Sequence, residues 1–327
     1  MWYSAIGCLV TLALTILLTP LASDGQAAAN VPRIGFLLNA NPDTAALVLE
    51  PFRQGLRERH YVEGQNIAVE YRLGERDEQF LDLATELVQR KVDLIVAWGT
   101  SAAKAAQHAT RTIPIVALMG EPVEMGLVAS LARPGGNLTG VSGQAAEVGR
   151  KRLELLKEVV PQASRVAVLW NAANPNKVLE WQETQSAAQA LGLALQSVEV
   201  RTPDDFERAF AALTRGRADA LLTMTEGLTI THRRQIVDFT TQHRLPMLAE
   251  DRVFVEAGGL MSYGVKLGEL YGHLAVYVDK ILKGAKPADL PVEQPMKFEL
   301  VLNLKTAQAI GVIMPPTLLF QADEVIK

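Results

Sequence analysis

Arg165-Val-Ala-Val-Leu-Trp-Asn-Ala-Ala-Asn-Pro175 decides the fold. Its first six residues form a short apolar run, and the Asn- and Pro-containing stretch after Trp170 stops it, as expected of a buried strand running into a loop. The same arrangement stands far upstream, where Arg33-Ile-Gly-Phe-Leu-Leu38 runs into Asn39-Ala-Asn-Pro42. The chain therefore starts one structural programme twice. Residues 33–143 and 165–263 each read as an open α/β lobe.

Working outward from the first start, Leu47–His60 has helical spacing and Asn66–Tyr71 is β-rich. Gln79–Arg90 places Phe80, Leu83, Ala84, Leu87 and Val88 on one stripe, the mark of an amphipathic helix. Val92–Ala97 and Pro114–Leu118 read as buried strands, Gly126–Leu131 as a short helix, and Leu138–Ser142 as a strand. From the second start, helices are predicted over Arg150–Val160, Val178–Leu191, Thr202 to Arg215 and Thr229–His243. Thr202 suits a cap and Pro203 a first turn. Strands are predicted over Leu193–Val200, Ala220–Thr223, Pro246–Leu248 and Leu260–Ser262. Leu267–Leu282 reads as a further helix, Gly284–Pro295 as a surface run, Phe298–Leu302 as a strand and Lys305–Ile310 as a helical turn or two. Such alternation favours parallel sheets covered by helices on both faces.

The 327 residues exceed one ordinary core and suit two, and a hydrophobic share of 49% excludes a disordered chain. Residues 1–29 carry an apolar run from Ala5 to Leu18 and close on Ala27-Ala-Ala29, the pattern of a secretory signal peptide cut near Ala29. The run is short for a membrane span, which needs about 20 residues. An uncleaved anchor is the competing reading, because no Lys or Arg precedes the run. The single cysteine, Cys8, lies in this leader, so the mature chain needs no oxidative folding and holds no thiolate metal site. The formal charge is −4, and it becomes −3 once the leader and its one acid, Asp24, are removed. That balance gives no reason to expect nucleic-acid binding.

Ligands of open parallel sheets sit beyond the carboxyl ends of the strands. The rule singles out Trp98-Gly99-Thr100-Ser101: Gly99 lets the backbone approach, and Thr100 and Ser101 open a helix whose free N–H groups suit a carboxylate or phosphate. Thr100 as a plain N-cap is the alternative. By the same rule Asn39, Asn171, Glu121, Glu226 and Tyr263 are candidate ligand-binding residues. The two asparagines donate and accept, the two glutamates take an ammonium or hydroxyl, and the tyrosine stacks on a side chain. For Asn39 and Asn171 turn formation is the plain alternative. Trp98 and Trp170 read as core, and Arg133-Pro-Gly-Gly-Asn137 as a structural turn. No nucleophile elbow, His-Glu-x-x-His or phosphate-binding loop is present, and the five histidines show no metal spacing. No catalytic residue, metal or cofactor is expected.

The stretches Ala97-Trp-Gly-Thr-Ser101, Gly126-Leu-Val-Ala-Ser-Leu-Ala-Arg-Pro-Gly-Gly-Asn-Leu-Thr-Gly140 and Glu256-Ala-Gly-Gly-Leu-Met-Ser-Tyr-Gly264 resemble the exported solute-binding proteins of ABC importers, in the family with tryptophan- and tyrosine-binding members. Tyr277-Val-Asp-Lys-Ile-Leu-Lys-Gly284, Pro291-Val-Glu-Gln-Pro295 and Asn303-Leu-Lys-Thr-Ala307 match as well. The resemblance implies a type I periplasmic-binding fold, two Rossmann-like lobes joined by a hinge. The lobes are then expected at residues 30–143 plus about 264–290 and at 144–263 plus about 291–327, behind the signal peptide 1–29. It also implies a monomeric periplasmic receptor that hands a small solute, such as an amino acid, to a membrane permease. A sensor acting through a membrane signalling partner is the alternative. Relatives usually carry Asp where this chain has Glu121, a difference in reach of one methylene.

Overall fold

The computed structural model describes residues 31–143, 146–294 and 297–327. The leader reading and its cleavage point therefore lie outside the described residues.

The first half alternates β1 (Arg33–Asn39), α1 (Pro42–Arg57), β2 (Ala68–Gly74), α2 (Phe80–Gln89), β3 (Leu94–Trp98), α3 (Thr100–Ala109), β4 (Ile115–Gly120) and β5 (Leu138–Gly143). These strands form one parallel sheet in the order β2-β1-β3-β4-β5. The apolar runs are continuous instead of alternating because helices cover both faces: β1, β3 and β4 are buried almost end to end.

The second half continues with α4 (Ala146–Val159), β6 (Arg165–Asn171), α5 (Pro175–Ala190), β7 (Ala194–Val200), α6 (Phe206–Gly216), β8 (Ala220–Thr223), α7 (Gly227–Thr231), α8 (Arg233–Gln242), β9 (Met247–Ala249), α9 (Val253–Glu256) and β10 (Met261–Val265). Then come α10 (Leu267–Leu282), β11 (Phe298–Asn303), α11 (Leu304–Ile310), α12 (Pro316–Gln321) and β12 (Glu324–Ile326). The second sheet has the order β12-β11-β10-β9-β8-β6-β7 and is parallel except where β11 pairs antiparallel with β10. The architecture is α/β in two lobes.

The two asparagine–proline loops do the same work. Asn41 caps α1 by accepting from Thr44 N at 2.9 Å, and Asn174 caps α5 by accepting from Asn176 N at 3.1 Å. Pro42 and Pro175 then supply a first helical residue whose missing N–H has no partner to lose.

Helix α10 returns to the first lobe. It lies so close on α1 that a Cβ on Gly55 would overlap the Gly272 carbonyl. Beyond it, residues 290–293 follow the edge of β5: Thr139 Oγ1 donates to Leu290 O at 2.7 Å and Ser142 N to Glu293 O at 2.8 Å. The chain thus passes between the sheets three times, between β5 and α4, between β10 and α10, and between Glu293 and β11.

Three local expectations change. Gly126–Leu131 is a chain of turns, because Gly126 takes φ +69° and the Ala129 amide donates forward to Pro134 O instead of back into a helix. The helix expected over Thr229–His243 is two, broken at His232. The run 284–295 is not all surface: Val292 is buried against β5 and donates its N–H to Leu131 O.

Candidate functional site

Both sheets point the carboxyl ends of their strands at one cavity of about 140 Å³. That is close to the size of an engineered cavity that holds benzene, roughly 150 Å³, so the guest is a small molecule. The first lobe supplies Asn39 after β1, Trp98 to Ala102 at the β3–α3 junction, and Leu118 to Gly120 at the end of β4. The second supplies Asn174, Asn176 and Lys177 from the start of α5, Thr225 to Gly227 after β8, and Glu250 and Asp251 after β9. Arg152 of α4, Ile230, Leu267 and Phe298 also reach the wall.

The β3–α3 junction opens a helix at the cavity. Gly99 is the N-cap of α3 at φ +97°, a conformation that favours glycine, and Thr100 is the first helical residue instead of the cap. The Ala103 amide donates to Gly99 O at 3.0 Å, so the amides of Thr100, Ser101 and Ala102 precede the first intrahelical bond and stand on the cavity wall. The side chains there already have partners. Thr100 Oγ1 accepts from Gly120 N at 2.9 Å, and Ser101 Oγ donates to Asp77 Oδ2 at 3.0 Å.

Glu226 caps α7 by accepting from Thr229 N at 3.0 Å, and Asn171 Nδ2 donates to its other oxygen at 3.2 Å. Burial first, then the Asp77 carboxylate across the lobes, pushes Glu226 up to about 7. Asp77 is itself raised by burial.

Along the second lobe's side of the cavity runs a buried ionic quartet, of which all but Glu180 reach the wall. Arg152 Nη1 sits 3.0 Å from Glu180 Oε1 and 2.6 Å from Glu250 Oε1. Lys177 Nζ sits 2.6 Å from Glu180 Oε2 and 3.0 Å from Glu250 Oε2. All four residues are less than a tenth exposed. Burial alone would raise Glu250, but Arg152 and then Lys177 hold its carboxyl well below the usual range. The Thr225 amide also donates to it, at 2.7 Å.

Of the sequence-predicted residues, the fold brings Asn39, Gly99, Thr100, Ser101 and Glu226 to the lining of this one cavity, the first four from one lobe and Glu226 from the other. Glu121, Asn171 and Tyr263 stand off it. Glu121 follows β4 with φ +37° and does not line the cavity. Asn171 is buried under Glu226 and holds it. Tyr263 stacks on the wall residue Phe298, with centroids 6.0 Å apart, and its carbonyl accepts from Arg152 Nε at 3.0 Å. Trp98, expected in the core, is both buried and a wall residue, edge-on to Tyr271. Arg152, Lys177, Glu250 and Asp251 were not legible, since charged residues in a helix or after a strand ordinarily face water. Among the described residues, no group of three or more His, Cys, Asp or Glu could hold a metal ion, and no helix is long and apolar enough to cross a membrane.

Residues 40–326 match the family model described as ABC transporter substrate binding protein. The chain belongs to that family. Its members are substrate-binding proteins, not enzymes. This substrate-binding protein is 29% identical over 264 residues, 79% of its own chain and 75% of the other, to a tyrosine-binding protein of Clostridioides difficile (strain R20291). Among solved structures it is similar to an ABC domain in complex with L-Trp from Streptococcus pneumonia, with a TM-score of 0.83 and 26% identity, over 90% of this chain and 99% of that one. It is also similar to the ligand-free, open form of a substrate-binding protein with adhesive properties from Clostridium difficile, with a TM-score of 0.62 and 25% identity, over 91% of this chain and all of that one. At nearly equal identity, this substrate-binding protein superposes better on the complex than on the open form. Its lobes do touch: a Cβ on Gly227 would overlap the Asn39 carbonyl oxygen, and one on Gly120 would overlap the Asn176 side chain.

Proposed function

We propose that this substrate-binding protein is the extracytoplasmic receptor of an ABC importer and captures a small carboxylate-bearing solute, an amino acid, between its lobes. The observation that carries the reading is the row of amides Thr100, Ser101 and Ala102 at the positive end of α3, facing a wall from the other lobe that holds Glu226. The solute's carboxylate meets the first and its ammonium the second. Neither lobe alone makes both contacts, so the closed form is the one a ligand stabilises. In this reading residues 1–29 are a signal peptide removed near Ala29, the receptor works in the periplasm as a monomer, and a membrane permease receives the solute. The relatives named for tyrosine and L-Trp support an amino acid as the guest.

Native mass spectrometry of the protein purified from its own cells tests this. The expected result is a mature chain beginning at Asn30 that carries one amino acid and releases it unchanged on unfolding. A chain that retains its leader, or one that turns the compound over, contradicts the reading.

A further inference from the structure

The charges around the cavity do not balance. Two basic side chains reach the wall, Arg152 and Lys177, and both are engaged by Glu180 and Glu250 in the buried quartet. Two more carboxylates line the same space, Glu226 and Asp251, and a third, Asp77, lies behind the lining residues Asn39 and Ser101; among the described residues the hydrogen-bond partners of all three are uncharged. Asp77 is held by Asn39 Nδ2 at 3.4 Å and Ser101 Oγ at 3.0 Å. Glu226 is held by Asn171 Nδ2 and Thr229 N. Asp251 accepts only from Val253 N, at 2.8 Å, on Oδ1.

Asp251 is a separate observation from the acid pair. It is 2% exposed, it lines the cavity, and its Oδ2 has no hydrogen-bond partner. A buried acceptor left so is costly, the more so for a charged group, unless a donor arrives with the guest. Thr225 Oγ1, also on the wall, is likewise buried without a partner. Asp251 further lines a second chamber of about 460 Å³ under α1 and α10, whose walls share Trp98, Ile230 and Leu267 with the first. Arg252 and Lys266 line that chamber too, but Arg252 is paired with Glu256 at 2.7 Å and Glu299 at 3.1 Å, and Lys266 with Glu269 at 3.8 Å. A guest that starts at the α3 amides and extends past Trp98 therefore passes Glu226 and ends at Asp251.

We propose that the solute carries more positive than negative charge: it is a basic amino acid, its α-ammonium taken by Glu226 and its side-chain cation by Asp251. This rests on the amino-acid reading above and sharpens it. The cation also relieves the repulsion between Asp77 and Glu226, which belong to opposite lobes, so its arrival favours closure. A neutral side chain of the same length leaves Asp251 unmatched.

Isothermal titration of the mature chain with L-lysine, L-ornithine, L-norleucine, L-tyrosine, L-tryptophan and cadaverine decides the matter. The expected result is L-lysine or L-ornithine binding at least tenfold tighter than L-norleucine, with the gap closing several-fold in Asp251→Asn. Glu226→Gln should weaken every amino acid and spare the ratio. Should Asp251→Asn not fold, Asp251→Glu, which keeps the charge and moves it, should alter the preference between L-ornithine and L-lysine. If L-norleucine, L-tyrosine or L-tryptophan binds as tightly as L-lysine, the charge inference is overturned and the amino-acid receptor stands. If no compound binds, both fall.

Discussion

Asn39 and Asn171 occupy the same place in the two lobes, each at the carboxyl end of its first strand, and each donates its side-chain amide to a carboxylate near the lobe boundary. Asn39 reaches Asp77 at 3.4 Å, and Asn171 reaches Glu226 at 3.2 Å. The repeated strand–Asn–Pro start is thus also a repeated way of placing an acid. The second copy is better anchored, because Asn171 Oδ1 accepts from Ala173 N at 2.8 Å as well.

Asn171→Ala should therefore destabilise the chain by about 1–3 kcal/mol, the cost of leaving buried polar partners unmatched. Asn39→Ala, whose bond is longer, should cost less. Urea denaturation of the two variants gives the comparison, and an equal or reversed order would count against the anchoring role of Asn171.

Glu250→Gln removes the carboxylate that touches both buried cations and the Thr225 amide. The expected loss is about 3–5 kcal/mol, the usual result of breaking a buried ion pair on one side. A loss under about 1 kcal/mol by the same denaturation assay would mean that the quartet is loosely held.

Gly227→Ala places a methyl group against the Asn39 carbonyl of the opposite lobe. The lobes should fold as before, within about 0.5 kcal/mol. Closure should suffer, and the affinity for the retained solute should fall at least tenfold, about 1.4 kcal/mol. Wild-type affinity would show that the lobes do not approach each other here when solute is bound.

Asp251 gives a pH signature. Burial lifts it from an ordinary 3.8 to about 7, against the Val253 N–H bond that lowers it. Its folded value exceeds its unfolded value, so the folded chain holds the extra proton between those limits. The stability linked to this group is complete below about pH 4 and is lost as pH rises to about 7, at up to about 1.4 kcal/mol per unit. Relative to wild type, Asp251→Asn should thus gain stability from about pH 4 to 7 and stay level above. Denaturation midpoints of the two proteins across that range check the sign; a difference that does not change with pH would place Asp251 in water.

The fold was legible because its strands are buried on both faces and its helices start at marked residues. Runs such as Arg165–Trp170 read directly, whereas α1 and α5 start at Pro42 and Pro175, ahead of the expected Leu47 and Val178, because Asn41 and Asn174 act as caps inside what reads as a loop. What failed locally were segments where composition suits two conformations, such as Gly126–Leu131, whose apolar residues pack from turns. At the cavity, the strand-end rule picks out Asn39, Gly99, Thr100, Ser101 and Glu226, which line it because their position follows from topology. It missed Lys177 and Glu180 because α5 turns a polar stripe inward, with Lys177, Glu180 and Thr184 all buried, and a polar stripe ordinarily marks the wet face. Arg152 and Glu250 are 98 residues apart, and only the completed second lobe brings them together. Asp77 escaped for a related reason: it sits in a short turn before α2, and its importance comes from Ser101 and Glu226, both distant in sequence.

The central claim is that one small solute bridges the lobes, and a crystal structure of the mature chain with its retained solute tests it most directly. The expected map shows a carboxylate against the amides of Thr100, Ser101 and Ala102 and an ammonium at Glu226, with both lobes in contact with one molecule. A solute bound to one lobe alone, or lying outside this cavity, would contradict it.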